Sequence, residues 1–251
     1  MINLQNKIAF ITGGSRGIGA ACVELFAKAG ANVAFTFKSN KKAADELITK
    51  INQPNKVVSY CMNMESESDI KQIVALIESD FGRIDILVNN AGIWKFGEAD
   101  KMNLEDWNET IGTNLTGYFL VTKAVIPVMK ENNFGRIIHI ASTAGQRGEA
   151  FHSHYAASKG AAIAFSKSLA VELSKFNITS NCVAPGWVDT EMCESVFSDV
   201  DYKESVRKDI PVGRIASAED IAGPVLFLAS DLARHINGAV LSVNGGSVLC
   251  G

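Results

Sequence analysis

The sequence lacks any apolar run approaching the roughly 20 residues that a membrane-spanning helix requires. It also lacks a positively charged segment that leads into an apolar stretch near its start, so nothing predicts a secretory signal. Positive and negative charges are mixed along the chain, and the formal net charge is -3, which indicates no basic surface for nucleic acid. We therefore expect a cytoplasmic protein whose partners include neither a membrane nor a nucleic acid.

Disulfide and metal-binding motifs are also missing. The five cysteines are odd in number and form no C-x-x-C pair, which favours reduced thiols. None of the four histidines belongs to a group with the usual metal-ligand spacing, so we predict no catalytic metal. For His152 and His154, near the start of a predicted helix, solvated loop side chains are the favoured interpretation and substrate contact is the alternative.

The chain does contain a regular alternation of short apolar runs and helical patterns. Its 251 residues, 47% of them hydrophobic, suit one large α/β domain (1–251) without a linker. Strands that are apolar on both faces need helices on both sides, which predicts a Rossmann-type, doubly wound, seven-stranded parallel sheet. The predicted strands are Ile8–Ile11, Val33–Phe37, Val57–Tyr60, Ile84–Val88, Ile137–Ala141, Ile178–Val183 and Val240–Val243.

Ligands of such sheets bind beyond the carboxyl ends of the strands, so residues that follow those ends are candidates for a site. The stretch from Trp187 to Pro211 (187–211) is rich in charge and poor in periodicity, and it is the one candidate for a mobile substrate lid. The residues that follow predicted strand ends are Gly13, Asn89, Ser142 and Pro185.

A glycine-rich turn follows the first predicted strand, in K-I-A-F-I-T-G-G-S-R-G-I-G. Gly13, Gly17 and Gly19 leave no Cβ where the backbone must turn sharply and approach a ligand. The helix behind them offers free N–H groups to a pyrophosphate. Glycines also make ordinary turns, but strand, glycine turn and helix together predict a dinucleotide site. The spacing T-G-x-x-x-G-x-G is not that of the commoner dinucleotide fingerprint.

The segment Y-A-A-S-K places Tyr155 and Lys159 four residues apart, on one face of a helix. A free phenol has a pKa of about 10, so it is a poor proton donor near neutrality unless a positive charge stabilises the phenolate. We expect Lys159 to lower the pKa of Tyr155 and make it an acid catalyst. Because solvated helices often carry such a pair, the motif gains its meaning from the glycine turn.

Taken together, these motifs resemble the short-chain dehydrogenase/reductase family, in particular its 3-oxoacyl-ACP reductases and acetoacetyl-CoA reductases. The similarity extends from about Lys7 to Gly246 and also includes N-N-A-G, G-T-N-L, I-A-S, P-G and V-N-G-G, in that order. The resemblance implies hydride transfer between a nicotinamide and a carbonyl or secondary alcohol.

The resemblance also implies four catalytic residues. Tyr155 would give a proton to the developing alkoxide, and Ser142 would donate a hydrogen bond to the same oxygen. Lys159 would bond the nicotinamide ribose, while Asn114 would fix a water that links the lysine to solvent. Taken alone, Ser142 would be interpreted as a turn residue and Asn114 as a polar residue at a helix kink.

The end of the second predicted strand bears on the choice of cofactor. NAD enzymes place a carboxylate there for the ribose hydroxyls, whereas NADP enzymes supply cations for the extra phosphate. Here the strand ends F-T-F-K-S-N without a carboxylate, and Arg16 and Lys38, helped by Ser39, can converge on a 2′-phosphate. The alternative is that both cations are surface residues. We therefore predict NADP(H).

By the resemblance, Asn63 stands where family members usually have an Asp that contacts adenine, and an amide can also hydrogen-bond that base. The full set of cofactor-binding residues that the resemblance implies is Gly13, Ser15, Arg16, Gly17, Ile18, Gly19, Lys38, Ser39, Asn63, Asn90, Ala91, Gly92, Tyr155, Lys159, Pro185, Gly186, Val188 and Thr190.

The resemblance places Trp94, Ser142, Gln146, Phe151 and Trp187 around the substrate carbonyl, in an apolar pocket with a few polar edges. The leading interpretation is NADPH-dependent reduction of a 3-oxoacyl thioester, presented on CoA or on an acyl carrier protein. The alternatives are an NADP-dependent dehydrogenase of another secondary alcohol, sugar or small ketone, and a dinucleotide sensor without catalysis. The intact catalytic residues argue against a sensor.

Relatives that act on the acidic carrier protein use arginines to meet it. The matching positions here hold Asn133, Val171 and Phe176, which weakens the carrier interpretation. The basic residues nearby are Lys130, Arg136 and Lys175.

Two predicted helices, Leu115–Met129 and Tyr155–Leu173, carry apolar residues over a wide arc. Family members pair these helices across a two-fold axis, which predicts a homotetramer, whereas the alternative is that the arc only packs against the sheet. The apolar residues in question include Phe119, Val125, Ala162 and Phe165.

Overall fold

The computed structural model describes residues 2–250. Seven strands form one sheet, and every neighbouring pair of strands is parallel. The strands are β1 (Ile8–Ile11), β2 (Asn32–Phe37), β3 (Val57–Cys61), β4 (Ile86–Asn89), β5 (Gly135–Ile140), β6 (Ile178–Pro185) and β7 (Val240–Val243).

The strand order is β3-β2-β1-β4-β5-β6-β7, so the direction of winding reverses between β1 and β4. In the register, Ile11 of β1 pairs with Phe35 of β2 on one side and with Val88 of β4 on the other. Each predicted strand overlaps one observed strand, and the predicted doubly wound parallel sheet is confirmed. The reversal opens a crevice at the carboxyl ends of β1 and β4.

Helices follow the strands and cover both faces of the sheet. A π-helical turn, Gly112–Thr116, joins α4 to α5. None of the helices within residues 2–250 is both long and apolar enough to cross a membrane. The helices are α1 (Gly17–Lys28), α2 (Lys41–Lys50), α3 (Glu67–Phe81), α4 (Leu104–Ile111), α5 (Gly117–Glu131), α6 (Thr143–Arg147), α7 (Ser153–Leu173), α8 (Glu194–Phe197), α9 (Val200–Asp209) and α10 (Ala218–Ala229).

The two faces of the sheet carry separate hydrophobic cores. On one face, Phe26 of α1 and Leu228 of α10 pack in the same cluster as Ile11. On the other face, α3, α5 and α7 cover alternate strand residues, including Leu87. Because successive strand side chains point to opposite faces, strands that are apolar throughout supply both cores.

Helices α8 and α9 lie within the predicted lid segment and have a small core of their own, in which Phe197, Val206 and Ile210 are buried. Trp187 packs against this cluster at a ring-centroid distance of 5.4 Å from Phe197. The segment is therefore folded over the carboxyl edge of the sheet. Whether it moves as a lid stays a prediction.

Candidate active site

A cavity of about 1080 Å³ lies along the carboxyl edge of the sheet. The loops after β1, β4, β5 and β6 all contribute to its lining, as expected for a doubly wound sheet. Most of the predicted site residues line it. The predicted residues that do not are Ser39, Asn114 and Gln146.

The glycine turn after β1 leaves no room for larger residues. Gly13 has a φ of +65°, and a Cβ there would lie 2.9 Å from the Ala91 Cα. At Gly19 a Cβ would lie 2.1 Å from the Gly13 carbonyl oxygen. The turn therefore folds tightly against the loop after β4 and against the first turn of α1, which presents backbone N–H groups to the cavity. These features fit a dinucleotide pyrophosphate.

Thr12 holds the turn to the loop after β4, and sequence reasoning missed it. Its buried hydroxyl oxygen accepts hydrogen bonds from the Asn90 N–H at 3.0 Å and the Ala91 N–H at 3.1 Å. The Asn90 side-chain amide donates in return to the carbonyls of Thr12 at 2.9 Å and Gly13 at 3.0 Å. The only signal for this role was the threonine of T-G-x-x-x-G-x-G.

At the end of β2, which we call the far end of the cavity, Arg16, Phe37 and Lys38 line it, together with Asn63 after β3. Arg16 and Lys38 are exposed, and neither forms an ion pair within the described part of the chain. The two cations are thus available to an anionic group at this end. Ser39 is exposed but does not line the cavity.

Ser142, Tyr155 and Lys159 share one wall of the cavity. The Ser142 hydroxyl oxygen caps α6 by accepting from the Ala144 N–H at 3.1 Å, and its own O–H is directed to the Tyr155 phenol, where it can also meet a substrate oxygen. Tyr155 and Lys159 follow one turn apart on α7. This wall can therefore present two hydroxyl groups to one substrate oxygen.

The Lys159 side chain is almost fully buried, with 3% exposed. Its Nζ donates to the Ile140 carbonyl at 2.7 Å and to the Tyr118 hydroxyl at 3.2 Å. Burial lowers the pKa of Lys159 to about 7, because the charged amine loses water. Tyr118 is a second residue that sequence reasoning missed, although it follows Asn114 by four positions in the same helical segment.

The expected effect of Lys159 on the pKa of Tyr155 is not what the structure shows. Burial is the largest cause and raises the pKa of Tyr155, hydrogen bonding to Ser142 lowers it, and the charge of Glu149 raises it. The Lys159 Nζ lies 5.7 Å from the centroid of the Tyr155 ring. The expectation of a lowered pKa is therefore wrong, because loss of water outweighs the other effects. Tyr155 is thus a protonated phenol at neutral pH.

Asn114 lies in the π-helical turn and is fully buried behind the cavity wall. Its carbonyl oxygen accepts from the Ile93 N–H at 2.8 Å, and its amide donates to the Ile93 carbonyl at 2.9 Å and to the Ser158 hydroxyl at 3.3 Å. The side chain is therefore engaged with the protein and fixes the loop after β4. Its predicted role in holding a water is untested by these contacts.

The substrate end of the cavity has aromatic walls. Trp94, Phe151 and Trp187 line it as expected, and the Trp94 and Trp187 rings meet edge to face at 5.8 Å between centroids. Gln146 is the exception, since it does not line the cavity and its amide donates to the hydroxyl of Ser242 in β7 at 3.0 Å.

Both histidines near the start of α7 are buried, so their interpretation as solvated loop side chains is wrong. The His152 ring lies parallel to that of Trp94 at 4.3 Å and lines the cavity, which agrees with the alternative of substrate contact. His154 is fully buried, and burial lowers its pKa. Within residues 2–250, no group of three or more His, Cys, Asp or Glu side chains is placed to hold a metal ion.

Comparison with known proteins agrees with this geometry. A family model described as enoyl-(acyl carrier protein) reductase matches residues 13–247. The chain belongs to the short-chain dehydrogenase/reductase family. It is 41% identical over 245 residues to the 3-oxoacyl-[acyl-carrier-protein] reductase FabG of Escherichia coli, covering 98% of each chain. It is therefore an oxidoreductase that uses a nicotinamide dinucleotide.

Other members of the family are similar over almost the whole chain. The acetoacetyl-CoA reductase of Shinella zoogloeoides is 39% identical over 242 residues, which cover 96% of this chain and 98% of the relative. A solved structure of a glucose/ribitol dehydrogenase from Brucella melitensis superimposes with a TM-score of 0.92 at 30% identity, covering 99% of each chain. The fold and the family are thus shared by enzymes named for different substrates.

Proposed function

We propose that this short-chain dehydrogenase/reductase uses NADPH to reduce the carbonyl of a 3-oxoacyl thioester to a secondary alcohol. The observation that carries the proposal is the wall on which Ser142, Tyr155 and Lys159 lie together beside the glycine turn. The glycine turn and the cations Arg16 and Lys38 would hold NADPH, which when bound would supply a hydride to the carbonyl carbon. The Ser142 and Tyr155 hydroxyls bind the carbonyl oxygen, and Tyr155 delivers the proton that completes the alcohol.

The preference for NADPH is supported by the charges at the far end of the cavity. Arg16 and Lys38 line it, and the apolar Phe37 occupies the end of β2. Two cations attract a 2′-phosphate, and an uncharged residue at the end of β2 offers nothing to repel it. Asn63 lies at the same end, where its amide can hydrogen-bond adenine.

The basic residues near the family's docking positions give little support to a carrier-protein partner. Arg136 is only 2% exposed and donates to the carbonyls of Gly135 and Asn177, so it cannot replace a docking arginine. Lys130 and Lys175 both lie over the Phe176 ring, at 4.8 and 5.1 Å from its centroid. Two lysines on a chain of net charge -3 should steer an acidic carrier only weakly. We therefore propose that the enzyme accepts the CoA-linked thioester, with less advantage for the carrier-linked form than strong electrostatic docking would give.

One feature of the cavity favours a second candidate, a dehydrogenase of a sugar or cyclic ketone. The Trp94 indole N–H donates to the Glu149 carboxylate at 3.2 Å, which places a hydrogen-bond acceptor beside an aromatic wall. Burial raises the pKa of Glu149. Flat aromatic faces with a nearby carboxyl group suit a ring that carries hydroxyl groups.

Competition between the CoA-linked and carrier-linked forms of one 3-oxoacyl group, at low and high salt, tests the proposal. We expect NADPH-dependent turnover of both forms, with no more than a few-fold advantage for the carrier and little dependence on salt. A large, salt-sensitive preference for the carrier would contradict the proposed CoA-linked substrate. Inactivity on both forms, alongside turnover of a sugar or cyclic ketone, would favour the second candidate.

A further inference from the structure

A second tyrosine, Tyr118 of α5, touches the amine of Lys159 from behind the cavity wall. Its hydroxyl accepts from the Lys159 Nζ at 3.2 Å and lies 3.3 Å from the Ile140 carbonyl, to which it donates. Lys159 donates to that same carbonyl at 2.7 Å. The three groups form a closed triangle. Tyr118 is fully buried and does not line the cavity, so it acts only through the lysine.

The neighbouring rings fix the orientation of Tyr118. His139 of β5 lies 5.8 Å from the Tyr118 ring between centroids, at an interplanar angle of 28°. His139 in turn meets Phe165 of α7 at 5.6 Å, edge to face. Because all of these rings are held between the sheet and two helices, the Tyr118 hydroxyl has a single direction, toward Lys159 and Ile140.

The surroundings of Lys159 make that hydroxyl important for the charge of the amine. The titratable groups that face it are Tyr118 of α5, Tyr155 of α7, His139 of β5 and Cys182 of β6. Burial keeps all four neutral at pH 7: it raises the pKa of both tyrosines, raises that of Cys182 to about 11 and lowers that of His139 to about 3.

With no opposite charge among these groups, the buried ammonium is stabilised by its two hydrogen-bond acceptors, the Ile140 carbonyl and the Tyr118 hydroxyl. Removing one acceptor therefore disfavours the charged form of the amine.

We propose that Tyr118 is a positioning residue that holds the Lys159 amine against the Ile140 carbonyl and keeps it protonated during carbonyl reduction. The kinetic test of this inference rests on the proposed function, because it measures carbonyl reduction. Its structural part concerns only the protonation of Lys159 and can be measured without any substrate.

The direct test is Tyr118→Phe, which keeps the ring and removes the hydroxyl. Loss of an acceptor lowers the pKa of Lys159, so the amine becomes neutral at a lower pH than in the wild type. We expect the alkaline limb of the kcat/KM profile to move down by about one pH unit. The ratio of wild-type to variant activity should be about two at pH 6 and about ten at pH 9.

A matched control is Tyr60→Phe. Tyr60 lies in β3 at the edge of the sheet and does not line the cavity, and its hydroxyl donates to Asp80 of α3 at 2.5 Å, so its removal should leave the profile unchanged. An activity loss in Tyr118→Phe that is equal at every pH would show a merely structural role and overturn the proposal.

A second measurement separates this inference from the choice of substrate. Titration of the Lys159 side chain by nuclear magnetic resonance, in the cofactor-free wild type and in Tyr118→Phe, should show the same downward shift. A shifted titration in an enzyme inactive on 3-oxoacyl thioesters would contradict the proposed substrate and support the role of Tyr118. Identical titrations would overturn that role.

If the phenylalanine variant folds poorly, 3-fluorotyrosine at position 118 weakens the acceptor and should move the titration in the same direction.

Discussion

The proposed preference for NADPH assigns a role to the last residue of β2. Phe37 is buried at 7% exposure and lines the cavity next to Lys38. The Thr36 hydroxyl accepts from the Gly13 N–H at 3.2 Å, which holds the end of β2 against the glycine turn. A side chain at position 37 therefore lies near the place where the turn would direct the adenosine ribose of a dinucleotide.

Replacement of Phe37 by Asp should shift the preference from NADPH toward NADH. The new carboxylate would repel a 2′-phosphate and accept a hydrogen bond from a free 2′-hydroxyl. We expect the ratio of kcat/KM for NADPH to that for NADH to fall by about tenfold or more. Phe37→Asn is the matched control, because it loses the same buried ring without adding charge. An equal effect of both variants, or a wild type that prefers NADH, would show that charge at this position does not set the preference.

Single residues were predictable from the sequence where their chemistry lies in a local motif. Gly13, Tyr155 and Lys159 line the cavity as their motifs indicate. Thr12 and Tyr118 were not predictable, because their partners lie 78 and 41 residues away in the chain and meet them only through the fold. The direction of the Tyr155 pKa shift depends on burial, which the four-residue spacing from Lys159 does not reveal.

The strands were the most predictable elements. Each is a short apolar run between helical patterns, and burial on both faces leaves little freedom in the placement of the central strands β1, β4, β5 and β6. Strand ends were less certain: β4 begins at Ile86 rather than Ile84, and β5 begins at Gly135 rather than Ile137.

The elements around the cavity depended more on tertiary contacts. The π-helical turn at Gly112–Thr116 coincides with the hydrogen bonds of Asn114 to Ile93, which lies on the loop after β4. The segment after Trp187 gave no periodic signal, yet it forms α8 and α9 around a core at Phe197. Short helices that bury only a few residues leave little trace in a sequence.

The folded chain exposes apolar side chains on α5 and α7 that do not pack against the sheet. Phe119 is 45% exposed and Val171 is 80% exposed, on α5 and α7, the helices that family members pair. Val125 and Ala162 are fully buried, so for them the wide apolar arc reflects packing within the chain. The exposed pair still supports an interface between copies of this chain.

We predict a homotetramer on this basis. Light scattering at micromolar concentration should give four times the chain mass of 26.9 kDa. Phe119→Glu, which places a charge on the exposed face of α5, should reduce that mass, whereas Leu232→Glu, at an exposed apolar residue elsewhere, should not. A monomeric wild type would contradict the prediction. The wide apolar arc of α5 and α7 would then be explained by packing against the sheet.

The central claim is that Tyr155 delivers the proton in an NADPH-dependent carbonyl reduction. Tyr155→Phe keeps the ring, so the variant should fold and bind NADPH with an affinity close to that of the wild type. The most direct measurement is the rate of NADPH oxidation with acetoacetyl-CoA by wild type and variant, on protein whose NADPH binding has been measured. We predict a loss of about 10²–10⁴-fold in kcat. Turnover within tenfold of the wild type, with NADPH bound, would contradict the proposed mechanism.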